Sequence, residues 1–283
     1  MEDRIDPLIV ERAPWLANAS LTARLARPAL DRVLGYDEVL ALARQFEGEQ
    51  TSAIMAQMAD RLCKMVEIGG LGNIPRFGPA LVVANHPTGL ADGIILHSLL
   101  ARVRNDTYIF ANSDILRILP QMRSIIAPVE WRIEKRSHAK TRETMAYVSE
   151  ATAAGRLGVI FPSGRLAQRR GLRLHERPWM ASAAMLARKF DLPVIPVNIQ
   201  ARNSLLYYIS DAIHPTLRDI TLFHETLNKD RQPFRVTVGE PISPSALPSD
   251  AKKGIALLRE ATLALGGRDA PTVNMVRSSR IWA

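Results

Sequence analysis

The stretch "ALVVANHPTGLADGIIL", residues 80–96, decides how this chain is read. "ALVVA" is an unbroken apolar run of strand length, and "GLADGIILHSLLARV" carries the length and pattern of a helix. Between them Pro87 fixes one backbone dihedral and Gly89 permits conformations that other residues avoid. A strand, a turn and a helix place His86 at the C-terminal end of the strand and Asp92 in the first turn of the helix. On one continuous helix, residues six apart stand roughly 240° around the axis and do not meet. Any pairing of His86 with Asp92 therefore depends on the turn. The C-terminal strand edge is where open α/β sheets bind ligands. Two readings follow: a histidine–aspartate dyad, or a surface histidine beside an aspartate that caps a helix. The spacing alone leaves both open.

Working outward, strands and helices alternate. Residues 17–66 read as helical, broken by Pro28 and Gly35, and "GGLGNIPRFGP" is a turn-rich connector. Downstream of the quoted stretch the expected strands are "DTYIFAN", "SIIAPVE", "RLGVIFP", "LPVIPVNIQ" and "FRVTVGEPI". The expected helices are "SDILRILPQMR", "KTRETMAYVSEATAAG" with Gly155 as its stop, "ASAAMLARKF", and a last one after the N-cap candidate Ser249. Residues 200–232 read as helical and mixed in character. "APTVNMVRSSRIWA" has no period and reads as a loose tail. Alternation of this kind argues for an α/β sheet with helices packed on it. The organisation expected is an N-terminal helical region (1–64), a main domain (65–266) and a C-terminal tail (267–283).

Composition narrows the function classes. A chain of 283 residues that is 47% hydrophobic and 6% aromatic is ordinary for a globular α/β protein. No apolar run approaches the roughly 20 residues that cross a bilayer, and the N-terminus lacks a signal-peptide profile. The lone Cys63 lies in an apolar helical pattern and reads as packing. The formal charge of +9 points to an anionic partner, as phosphate, nucleic acid or lipid surface. Its densest source is "GRLAQRRGLRLHERPW", with Arg165, Arg169, Arg170, Arg173 and Arg177 against the single acid Glu176. Planar guanidinium forks suit anionic oxygens. The histidines show no metal-ligand spacing, so no metal is expected. A serine hydrolase would need a Gly-x-Ser-x-Gly elbow, which "FPSG" around Ser163 does not form. Zinc spacings and RNA-binding aromatic signatures are missing too, so no nucleic acid is expected.

"NHPTGLADG" resembles the first block of the glycerolipid acyltransferases, in the longer-spaced variant of distant, hemolysin-type members. Further blocks follow in that family's order. "APVEWRIEKRS" resembles the second, with Arg136 the best match for its arginine and Arg132 the competitor. "GVIFPSGR" resembles the third, "LPVIPVNI" the fourth, and "VGEPI" a late Gly-x-Pro-Ile signature. Two departures stand out. Five residues separate His86 from Asp92 where four are usual. Ser163 stands where the third block usually has Glu, and Arg165 follows Gly164 directly.

The resemblance implies a mixed, mostly parallel central sheet flanked by helices, with an N-terminal helical region. It implies transfer of a fatty acyl group from acyl-CoA or acyl-carrier protein to a hydroxyl of a glycerolipid or lysophospholipid acceptor. His86 would be the general base and Asp92 its partner. Asn85, Arg136, Ser163, Gly164, Arg165, Arg169 and Arg170 are the headgroup-binding candidates, and no cofactor is expected. The expected setting is cytoplasmic, in peripheral contact with the anionic inner face of the cell membrane, with the acyl donor, the lipid acceptor and acyl-carrier protein as partners. The competing reading is a membrane-associated lipid-binding protein of the same fold without catalysis. An N-acyltransferase acting on an amino-acid lipid is the other.

Overall fold

In a computed structural model the described residues are 1–12, 14–17, 27–28, 31–32, 35–130, 137–225 and 228–280. The elements run α1 (Glu2–Arg12), α2 (Tyr36–Gln45), α3 (Thr51–Leu62), β1 (Val66–Gly69), β2 (Ala80–Ala84), α4 (Leu90–Leu100), β3 (Tyr108–Asn112) and α5 (Ile115–Ile118). They continue through β4 (Ile126–Val129), α6 (His138–Ala153), β5 (Leu157–Ile160), β6 (Gln168–Arg170), β7 (Arg173–His175), α7 (Ser182–Lys189) and β8 (Val194–Gln200). Last come α8 (Leu205–Ile213), α9 (Pro215–Glu225), β9 (Phe234–Val238), α10 (Ala251–Ala264) and β10 (Thr272–Asn274).

Seven strands form one sheet in the order β1-β9-β8-β2-β5-β3-β4. From β8 to β4 every neighbour pair is parallel, while β9 runs antiparallel to β8 and parallel to β1. The fold is thus mixed α/β with a mostly parallel central sheet flanked by helices. β2 is wholly buried between β8 and β5. Its alternate side chains serve opposite layers, as a pleated strand requires. Val82 and Ala84 join a core built with Ile5, Leu8, Ile54 and Leu99 from α1, α3 and α4. Leu81 and Val83 join one built with Val148, Ala187 and Leu258 from α6, α7 and α10. Residues of the N-terminal helices therefore share a core with the sheet.

Three local expectations need correction. "VEI", read as the end of a helix, is edge strand β1; α3 stops at Leu62, and Cys63 leaves helical geometry with ψ 39°. The N-cap of α10 is Asp250, whose carboxylate accepts the Lys252 and Lys253 amides at 2.7 and 3.4 Å, and not Ser249. The tail read as loose supplies β10, which pairs antiparallel with β7; β7 pairs in turn with β6. A small three-stranded sheet results, and Leu174, Tyr207, Tyr208 and Val273 fill a satellite core between it and α8.

Candidate active site

The site begins where β2 ends. Asn85 is buried, donates its amide to the Ile199 carbonyl at 2.9 Å and accepts the Ile199 amide at 2.7 Å. Both ends of its side chain thus tie the last residue of the turn's approach to β8. Asn85, expected as a headgroup contact, holds the turn in place. The chain then reverses through Pro87 and Thr88 to Gly89, whose φ of 99° is a conformation L side chains rarely adopt.

This reversal brings the sequence's distant pair together. His86 Nδ1 lies 2.9 Å from Asp92 Oδ2. Asp92, with its side chain fully buried, sits at the third helical position of α4, where its Oδ2 also accepts the Thr88 and Gly89 amides at 2.9 and 3.0 Å. Its Oδ1 accepts the Thr88 hydroxyl. One carboxylate therefore caps the helix and binds the imidazole. A buried carboxylate accepting at Nδ1 fixes the tautomer with the proton there, leaving the Nε2 lone pair free. The imidazole keeps 17% of its side-chain surface exposed and stacks on Phe161 at 4.2 Å between ring centroids.

The third block lies beside the dyad. Ser163 is buried, and its hydroxyl donates to the Arg165 carbonyl at 2.8 Å. Gly164 turns the chain at φ 60°, where an added Cβ would meet Met180 at 3.0 Å. Arg165 follows, exposed. The arginine-rich loop is a hairpin, with Arg169 and Arg170 on β6, exposed along its whole length. Among the described residues, Arg165, Arg169 and Arg170 form no ion pair with an acid. Arg173 and Arg177 are spent internally, on the Thr272 hydroxyl at 2.9 Å and the Leu166 carbonyl at 3.0 Å. Arg132 and Arg136 lie outside the described residues.

Two acids and a lysine drew no functional reading from the sequence. Glu176, seen only as the lone acid among arginines, is buried, and its carboxylate accepts the His86 main-chain amide at 3.1 Å and the Trp179 indole at 3.0 Å. Burial pushes its carboxyl above the ordinary range against those donors. Glu225 and Lys229 form a fully buried ion pair. The Glu225 carboxyl also accepts the Ser204 amide at 2.9 Å, and Lys229 donates to Gln232 Oε1 at 3.0 Å. Burial would raise the Glu225 carboxyl, but Lys229 and Ser204 outweigh it and hold it below its usual value. Among the described residues no cluster of His, Cys, Asp and Glu has the arrangement of a metal site.

The Acyltransferase family matches this chain over residues 65–200, the segment that carries β1 through β8 and the dyad. A lyso-glycine lipid O-acyltransferase of Phocaeicola vulgatus is 24% identical over 219 residues, covering 75% of this chain and 77% of that one. The enzyme of the same name from Bacteroides thetaiotaomicron is 22% identical, covering 75% and 79%. The crystal structure of the 1-acyl-sn-glycerophosphate acyltransferase of Thermotoga maritima is 15% identical, with a TM-score of 0.47 over 94% of this chain and 96% of that one. Over residues 65–200, where the ordered blocks lie, this chain is similar to the Acyltransferase family, and the two lyso-glycine lipid O-acyltransferases are similar to it over three quarters of its length.

Proposed function

We propose that this acyltransferase moves a fatty acyl group from a thioester, acyl-CoA or acyl-carrier protein, to a hydroxyl of a lysolipid, with His86 as general base. The observation that carries this reading is the 2.9 Å contact of His86 Nδ1 with buried Asp92, which leaves Nε2 as the basic atom. The acceptor oxygen attacks the thioester carbonyl carbon while Nε2 takes the hydroxyl proton. Collapse of the tetrahedral intermediate breaks the C–S bond, and the leaving thiolate takes the proton back from the imidazolium. Asp92 stabilises that imidazolium and keeps its orientation. No cofactor enters the balance.

The acceptor headgroup is anionic in this reading. Arg165, Arg169 and Arg170 form no ion pair among the described residues and flank Ala167, whose amide bonds the His86 carbonyl; guanidinium forks bind phosphate and carboxylate alike. The relatives' names add a lyso-glycine lipid to lysophosphatidic acid as acceptors to try. Such lipids reside in a bilayer, and we place the protein peripherally at the inner face of the membrane, where acyl thioesters are available. Leu205, Ile209 and Ile213 support this: they stand at four-residue spacing on one face of α8, 70%, 49% and 68% exposed. Tyr207 and Tyr208 of the same helix pack against the hairpin that carries the arginines. Purified protein with acyl-CoA and a panel of lysophosphatidic acid, lyso-glycine lipid and neutral lysolipids tests the reading. Thiol release that requires an anionic acceptor, with acylated lipid as product, is the expected result. Lipid binding without thiol release from either donor would favour the non-catalytic reading.

A further inference from the structure

We propose that Glu176 is a positioning residue for His86, holding the base through its main chain from the arginine hairpin. The inference rests on the reading of His86 as base. Its ground is the way the hairpin grips one peptide. The His86 N–H donates to Glu176 Oε2 at 3.1 Å, and the His86 carbonyl accepts the Ala167 N–H at 2.9 Å. Ala167 lies just before β6 and Glu176 just after β7, so the two ends of the hairpin hold the two polar groups of the same residue. Asp92 fixes the imidazole; this clamp fixes the backbone from which the imidazole projects.

The carboxylate is itself held. Trp179 donates its indole N–H to Oε1 at 3.0 Å, opposite the His86 amide on Oε2. Trp179 is buried among Ala183, Ala184 and Leu258 in the core behind β2. Glu176 is only 7% exposed, and no Lys, Arg or protonated His forms an ion pair with it among the described residues. A carboxylate buried without a cation is costly unless its oxygens serve donors. Here the donors are the base's own amide and the indole. Charge balance does not explain Glu176; geometry at His86 does.

A carboxylate offers acceptors on both oxygens, whereas an amide turns one of them into a donor. Glu176→Gln therefore leaves either the His86 amide or the Trp179 indole without a partner. Displacing a base by a fraction of an ångström to an ångström costs up to about 100-fold in rate. We expect Glu176→Gln to lower kcat by about 10- to 100-fold, with KM for acyl-CoA changed less than about twofold. Hydrogen exchange at the His86 amide should accelerate while melting stays cooperative. Trp179→Phe, which keeps the carboxylate but removes one of its anchors, should shift kcat and His86 exchange the same way by less. Wild-type kcat in Glu176→Gln, unchanged His86 exchange, or losses in both variants that merely track the unfolded fraction would each overturn the assignment. His86→Ala runs beside them. If it is inactive while Glu176→Gln matches wild type, this inference alone fails; if it stays active, the reading of the base fails.

Discussion

Asp92 shows how much a single residue carries here. Its four donors come from the helix cap and the imidazole together, so its chemistry and its structural role share one carboxylate. Asp92→Asn keeps the size but gives the carboxyl position an amide, which presents a donor to at least one of these N–H groups. We expect acyl transfer to fall about 10²–10⁴-fold and the protein to lose about 1–3 kcal/mol of stability from the unsatisfied donors. Kinetics and thermal melting measure the two losses separately. A variant that loses stability but keeps full turnover would reduce Asp92 to a cap. The meeting of His86 with Asp92 was legible because every residue of the turn lies within ten positions, and Pro87 and Gly89 announce the reversal. Glu176 was not, because its partner is ninety positions away. Asn85 misled for the same reason: the Ile199 backbone that occupies its amide cannot be seen from the motif.

At the scale of elements, α9 and the turn after it hold the buried pair Glu225–Lys229. Glu225→Gln or Lys229→Met alone should destabilise by about 3–5 kcal/mol, because each strands a buried partner. The double variant should cost less than the sum, since Gln keeps an acceptor for Ser204. The Glu225 carboxyl is held below its ordinary value in the folded state. Its contribution is therefore complete above the unfolded pKa, about 4.3, and is lost as pH falls through the folded value. Melting of the wild type should decline more steeply below that pH than melting of the double variant. Equal slopes would remove the pair from the acid response. Elements with long internal periods were readable, as α6 with its Gly155 stop shows. The short ones were not. β1, β6, β7 and β10 span three or four residues each, and their pairing, not their composition, makes them strands.

Over the whole molecule, alternation gave away a sheet with helices on both faces, but not its order. β9 enters antiparallel beside β8, a choice set by tertiary packing that no local pattern reports. Among the described residues no helix is long and apolar enough to cross a membrane. The net charge of +9 and the apolar ridge on α8 instead suit adsorption to an anionic surface. Leu205→Ser/Ile209→Ser/Ile213→Ser should weaken sedimentation with anionic vesicles by about tenfold or more, given about 1.5–3 kcal/mol for each fully buried apolar side chain. High salt should weaken it too, by screening the arginines. Equal binding to neutral vesicles would exclude the arginines from the contact. All of this serves one claim, that His86 takes the proton of an acceptor as it attacks a thioester. The direct measurement is acceptor-dependent thiol release from acyl-CoA by wild type and His86→Ala at matched folded concentration. The account predicts release by the wild type only when acceptor is present, and at least a hundredfold less from the variant (about 10²–10⁴ for a general base). Release that survives in His86→Ala at a similar rate would contradict it.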